Sequence, residues 1–147
     1  MQVALYDALS EAGTHVLVAA VKASGSLFLA TGRRGRLVCA SKNSMGSVYS
    51  DAGHYTLLRQ FQSAHGPVWK DEYTRFVRFL EENHLSIGCE LVTGCLGDHA
   101  EHPAKEHIVV TAVLDRRSLA PFSPLMLILL KAWRPVPECC LLTIKVL

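Results

Sequence analysis

The 147-residue sequence has no marked excess of charge, no long apolar run and no cysteine framework, and each absence removes a class of protein. Fifteen Lys and Arg against thirteen Asp and Glu leave a net charge of +2. That is too little to identify a partner, so any polyanion contact must come from a local cluster such as Arg33, Arg34 and Arg36. The longest uninterrupted apolar runs are Val16 to Val21 and Leu125 to Leu130. A bilayer span needs about 20 residues, so the expectation is a soluble chain with no membrane partner. The five cysteines, Cys39, Cys89, Cys95, Cys139 and Cys140, are odd in number and lack the spacing of a secreted disulfide scaffold. The opening MQVALYDALSEAG has no basic start like that of a signal peptide. Both features fit a reducing compartment, and an intracellular protein of the nucleus or cytoplasm is expected. Half of the residues are hydrophobic, which excludes disorder and suffices for one core in one domain spanning 1–147.

Val3 to Ala12 has roughly helical apolar spacing and predicts a short helix stopped at Gly13. Val16–Val21, Leu27–Ala30 and Leu37–Ala40 are β-favouring runs separated by Gly- or Ser-bearing breaks, which predicts two successive hairpins. Ser47 to His54 is rich in Gly, Ser and Asp and reads as loop. From Tyr55, Leu57, Leu58 and Phe61 give a helical stripe that Gly66-Pro67 stops. A second helix over about Lys70 to Asn83 places Tyr73, Phe76, Val77 and Leu80 on one face, with Asp71, Glu72, Arg75, Arg78, Glu81 and Glu82 on a solvated face. Leu85 to Thr93 alternates as a strand, with Ile87, Cys89 and Leu91 on one side and Gly88, Glu90 and Val92 on the other. Ile108 to Leu114 is continuously apolar and predicts a strand buried on both faces or central in the sheet. Pro124 opens a helix to about Trp133.

One short pattern carries chemistry. Lys22 is followed three residues later by Gly25, between two predicted strands, the arrangement with which nucleotidyltransferases form a covalent lysyl–nucleotide adduct. An amine must lose its proton before it attacks an α-phosphorus, so such a lysine needs partial burial and a neighbouring cation, for which Lys42 is the candidate. Gly25 can turn the chain sharply and bring backbone close to phosphates. A bare K-x-x-G also occurs in solvated hairpins.

The pattern does not stand alone. KASGSLFLATG from Lys22, ASKNSMGSVYS from Ala40, FLEENHLSIGCELVTGCLGDHAEHP from Phe79, IVVTAV from Ile108 and, more loosely, FSPLMLILLKAWRPVPE from Phe122 follow one another in order. With these segments the chain resembles the adenylyltransferase domain of ATP-dependent RNA ligases, and within that group the plant and algal tRNA-splicing ligases, from Lys22 to about Glu138. The resemblance implies an α+β fold, a partial nucleotidyltransferase domain of the ATP-grasp-like ligase type, mainly antiparallel sheet with flanking helices. It implies ATP and Mg2+ as cofactors and RNA, as tRNA halves, as the partner. It assigns Lys22 to attack ATP and form lysyl-AMP, Ser41, Lys42 and Asn43 to the phosphate side, Gly25 to the nucleotide turn, and Glu90, in the third motif, to the ribose or the metal.

The family's fourth motif, a metal-holding carboxylate, and its fifth, a strand with paired lysines, are not recognisable. The strand-like ending Cys139 to Leu147 has one lysine, Lys145, which arrives too soon after the third motif. A truncated domain with little turnover is therefore expected, since phosphoryl transfer depends on charge neutralisation at the triphosphate. The alternative is a catalytically inactive nucleotide- or RNA-binding module with the same fold, using Arg33, Arg34, Arg36, Lys42 and Arg59 as a basic surface and Tyr49 and Tyr55 for stacking. A third reading is a structural zinc site at Cys89, Cys95, His99 and His102, whose spacing does not match the usual short chelate; no metal ligand is assigned.

Overall fold

The fold was described from a computed structural model, which covers residues 18–20, 22–96, 103–122 and 144–146. The predicted helices at Val3–Ala12 and from Pro124 lie outside the described residues. The elements run β1 (Val18–Ala20), β2 (Ser26–Arg33), β3 (Arg36–Ser41), α1 (Val48–His65), a short 3-10 turn (Gly66–Val68), α2 (Trp69–Glu82), β4 (Leu85–Val92), β5 (His107–Asp115) and β6 (Ile144–Val146). Four strands form one antiparallel sheet in the order β3-β2-β4-β5, and β1 pairs with β6 in a separate two-stranded sheet. Among the described residues no helix is long and apolar enough to cross a membrane. The observed class is α+β, an antiparallel sheet with two helices against it.

Both helices cover the same face of the sheet. Phe28 and Ala30 of β2, Ile87, Cys89 and Leu91 of β4, and Ile108, Val110 and Val113 of β5 meet Leu57 and Phe61 of α1 and Phe76, Val77 and Leu80 of α2 in one core. The α2 stripe follows the spacing of its apolar residues, and Gly66, at φ +53, caps α1 where the sequence predicted its end. Gly32 brings α2 onto β2, because a Cβ there would lie 2.2 Å from the Val77 carbonyl oxygen.

Three expectations are corrected. Val18–Ala20 does not form a hairpin with β2; it pairs with Ile144–Val146, because both hydrogen-bonding edges of β2 are occupied by β3 and β4. The second hairpin, β2–β3, is present. Ser47 to His54 is the start of α1 rather than a loop: the Ser47 hydroxyl accepts from the Ser50 N–H at 3.2 Å as an N-cap. Its small residues face inward, with Ser50 buried and Gly53 against the Phe28 ring, where a Cβ would come within 2.2 Å of a ring carbon. Finally, β5 ends the order of described strands and is buried mainly on one face, whereas β4 is the strand buried on nearly every residue. At the far end of β5 the chain folds back, the Phe122 N–H donating to the Val113 carbonyl at 2.8 Å, and at Ile108 the edge is met by a side chain. Buried Gln60 of α1 accepts from the Ile108 N–H at 2.8 Å and donates to the Ile108 carbonyl at 3.3 Å.

Candidate nucleotide site at one end of the sheet

The register gathers most of the candidate residues at one end of the sheet. Ser26 pairs with Leu91 and Leu27 with Glu90, while Phe28 pairs with Ser41. The segment Lys22–Gly25, which enters β2, the turn Ser41–Ser44, which leaves β3, and Glu90 near the end of β4 therefore lie side by side across three strands. Phe28 faces the helices, so Leu27 and its partner Glu90 face the opposite side of the sheet.

Gly25 and Glu90 are in direct contact. The Gly25 N–H donates to Glu90 Oε1 at 2.7 Å across 65 residues of sequence. No larger residue fits there, since a Cβ on Gly25 would stand 2.2 Å from the Leu91 carbonyl oxygen. The glycine of the K-x-x-G pattern thus serves a close backbone approach to β4. The carboxylate of half-buried Glu90 makes no other hydrogen bond among the described residues, which leaves Oε2 without a partner there.

Lys22 is exposed among the described residues rather than partly buried within a hairpin, because the strand before it pairs elsewhere. Lys42 and Asn43 are exposed in the turn after β3. Ser41 is arranged differently from them. Its register partner Phe28 places it on the helix side, where its hydroxyl donates to the Ser44 carbonyl at 3.2 Å and accepts from Ser47 Oγ at 2.9 Å. With the Ser41 N–H also bonded to the Ser44 carbonyl at 2.9 Å, Ser41 holds the turn that presents Lys42 and Asn43.

Beyond Glu90, a further polar group ties β4 to β5. The Thr93 hydroxyl donates to Glu106 and accepts from the Cys95 N–H at 3.1 Å. The Cys95 thiol and Thr93 hydroxyl together hold the Glu106 carboxyl below its ordinary range. Sequence reading passed over Glu106 and Gln60, since neither lies in a chemical pattern; both act on backbone or neighbouring polar groups that only the tertiary pairing brings near.

The described cysteines do not form a metal centre, and no cluster of three metal-ligating side chains occurs among the described residues. Burial raises the Cys89 thiol, and burial with the charge of Asp51 pushes Cys39 up to about 12. A bond to Glu106 raises Cys95. All three shifts disfavour the thiolate, the form that acts as a nucleophile. Cys89 sits in the core on the helix side of β4, turned away from the face that carries Glu90. His99 and His102 lie outside the described residues.

Glu81 belongs to the β2–β3 turn and not simply to a solvated face. Its carboxylate accepts from the Arg34 N–H at 2.6 Å and the Gly35 N–H at 2.8 Å, at a turn where both residues have positive φ (+51 and +69). These bonds, Gly35 first, lower its pKa below the ordinary 4.5. A depressed folded-state value means that this contribution is complete above the unfolded pKa and disappears as pH falls through the folded one. The thermal midpoint should fall as the pH drops below about 4.5, and Glu81→Gln should show a smaller fall over the same window, measured by thermal melts against pH.

No family model matches the chain. Over 103 residues it is 40% identical to tRNA ligase 1 of Arabidopsis thaliana, a match that covers 70% of this chain and 9% of that protein. Among solved structures it superposes on Naegleria gruberi RNA ligase. An apo mutant gives a TM-score of 0.67 at 13% identity, covering 97% of this chain and 40% of that one. A mutant with AMP and Mn gives 0.66 at 13% identity, covering 98% and 40%, and a mutant with ATP and Mn gives 0.65 at 11% identity, covering 96% and 39%. The structural likeness, at these identities, concerns the fold.

Proposed function

This chain is a relative of the tRNA ligases and has the fold of an RNA ligase domain, and on that premise we propose that it is the adenylyltransferase part of an ATP-dependent RNA ligase that joins tRNA halves. Its fold is then a partial nucleotidyltransferase domain of the ATP-grasp-like ligase type. Lys22 Nζ, once deprotonated, attacks the α-phosphorus of ATP. An N–P bond forms, the bond to the β-phosphate breaks, and pyrophosphate leaves with the electron pair. Lys42 and Asn43, presented by the Ser41 turn, lie toward the phosphates. Glu90 Oε1 fixes the Gly25 turn, and Oε2 is the group for a ribose hydroxyl or for Mg2+. Bound Mg2+ neutralises triphosphate charge; Glu90 is the described oxygen ligand that fits it.

The observation that carries this reading is the Gly25–Glu90 hydrogen bond, which joins the first and third segments of the resemblance at the end of the sheet where the second also lies. Incubation with α-labelled ATP and magnesium should give an acid-labile phosphoramidate that is lost in Lys22→Ala. The exposure of Lys22 favours a second reading, an inactive module that binds nucleotide without forming the adduct. ATP binding without any covalent label would select it.

A further inference from the structure

The far end of the β2–β3 hairpin carries a cationic feature that lysine adenylylation does not use. Arg33 and Arg36 are register partners and Arg34 occupies the turn between them. All three are exposed, and with Val38 they line an open cleft of about 550 Å³ among the described residues. None takes part in the ion pairs among those residues, which join Arg75 to Glu72 and Arg117 to Asp115. The carboxylate that does reach the turn, Glu81, gives one oxygen to each of the Arg34 and Gly35 N–H groups. It therefore locks the backbone and leaves the three guanidinium groups without an ion pair among the described residues, an arrangement that fits an added anion. Guanidinium forks suit phosphate oxygens, which they bind in pairs of hydrogen bonds.

The size of the ligand follows from distance. The cleft is at the opposite end of eight-residue β2 from Gly25 and Glu90, and at ~3.3 Å per residue the two are roughly 26 Å apart. A nucleotide held at Lys22 cannot span that separation, whereas a polymer can. We infer that Arg33, Arg34 and Arg36 form a phosphodiester cleft that holds the body of an RNA strand whose end lies at the Lys22 end of the sheet. The identity of the polymer rests on the ligase reading above; the demand for an anion rests on three exposed arginines that form no ion pair among the described residues.

The test is the affinity of the full chain for a labelled single-stranded RNA across a salt titration. Arg33→Gln/Arg34→Gln/Arg36→Gln should weaken binding about tenfold or more and lower the salt slope by about 2, the share of three phosphates on a single strand. Arg75→Gln/Lys70→Gln/Lys105→Gln removes the same charge from other exposed positions and should change affinity less than about twofold. Arg33→Lys/Arg34→Lys/Arg36→Lys, which keeps the charge, should retain the salt slope while losing part of the affinity, and it stands in if the glutamine variant loses its thermal transition. Wild-type affinity in the glutamine variant, equal losses in both glutamine variants, or no RNA binding by the wild type would overturn the cleft. Covalent labelling by ATP, read on the same preparations, separates the two ideas. Intact labelling with unchanged RNA affinity removes the cleft alone, and RNA affinity lost only in the hairpin variant with no labelling of the wild type removes the ligase reading alone.

Discussion

Gly25→Ala should slow the labelling of Lys22 by ATP about a hundredfold or more, because a displacement of about 1 Å at a reacting group can cost that much. The added methyl would sit 2.2 Å from the Leu91 carbonyl oxygen and 2.7 Å from its carbon, and both are backbone atoms of the central strand that cannot rotate away. The start of β2 would have to lift from β4, breaking the 2.7 Å bond from the Gly25 N–H to Glu90. Lys22 is three residues from that bond and would move with it. Initial rates of label incorporation measure the effect, and a thermal melt of the same variant separates local displacement from unfolding. A rate within a few-fold of wild type would show that the Gly25–Glu90 contact does not position the lysine.

Gln60→Leu should cost about 2–6 kcal/mol of folding stability, since two backbone groups of Ile108 lose their partner in the core at ~1–3 kcal/mol each. Gln60 and Ile108 are 4% and 0% exposed, so water cannot replace the amide. Leucine is similar in size, so the loss reports hydrogen bonding more than a cavity. Urea denaturation with an unchanged slope and a lowered midpoint checks it. An unchanged midpoint would mean that the edge of β5 is satisfied in another way.

The elements legible in the sequence are those whose signal is local. The α2 stripe Tyr73, Phe76, Val77 and Leu80 faces inward as its period demands, and the alternation of β4 separates Cys89 in the core from Glu90 on the opposite side of the sheet. The elements that were not legible depend on what packs against them. Ser50 and Gly53 have the composition of a loop, yet Ser50 is buried against the N-cap and Gly53 must be small because Phe28 lies beneath it. The pairing of β1 with β6 joins residues more than 120 positions apart, and no local pattern encodes it. Charge misled in a related way: Glu81 belongs by spacing to a solvated face, and only the hairpin folding back beside α2 gives its oxygens two N–H groups to accept from.

At the candidate site the same division holds. The residue types were legible because K-x-x-G, the Ser-Lys-Asn turn and the strand glutamate are chemical patterns. Their mutual placement follows from register, which put Leu27 opposite Glu90 and Ser41 opposite Phe28. Ser41 shows the difference between pattern and placement, since its side chain is used by the turn on the helix side while Lys42 and Asn43 remain exposed.

Peptide mapping of the protein after prolonged incubation with ATP and magnesium tests the central claim most directly. The account predicts AMP on the side-chain nitrogen of Lys22 and on no other lysine, with none in Lys22→Ala. AMP on Lys42 instead, or no adduct on any lysine while ATP still binds, would contradict it.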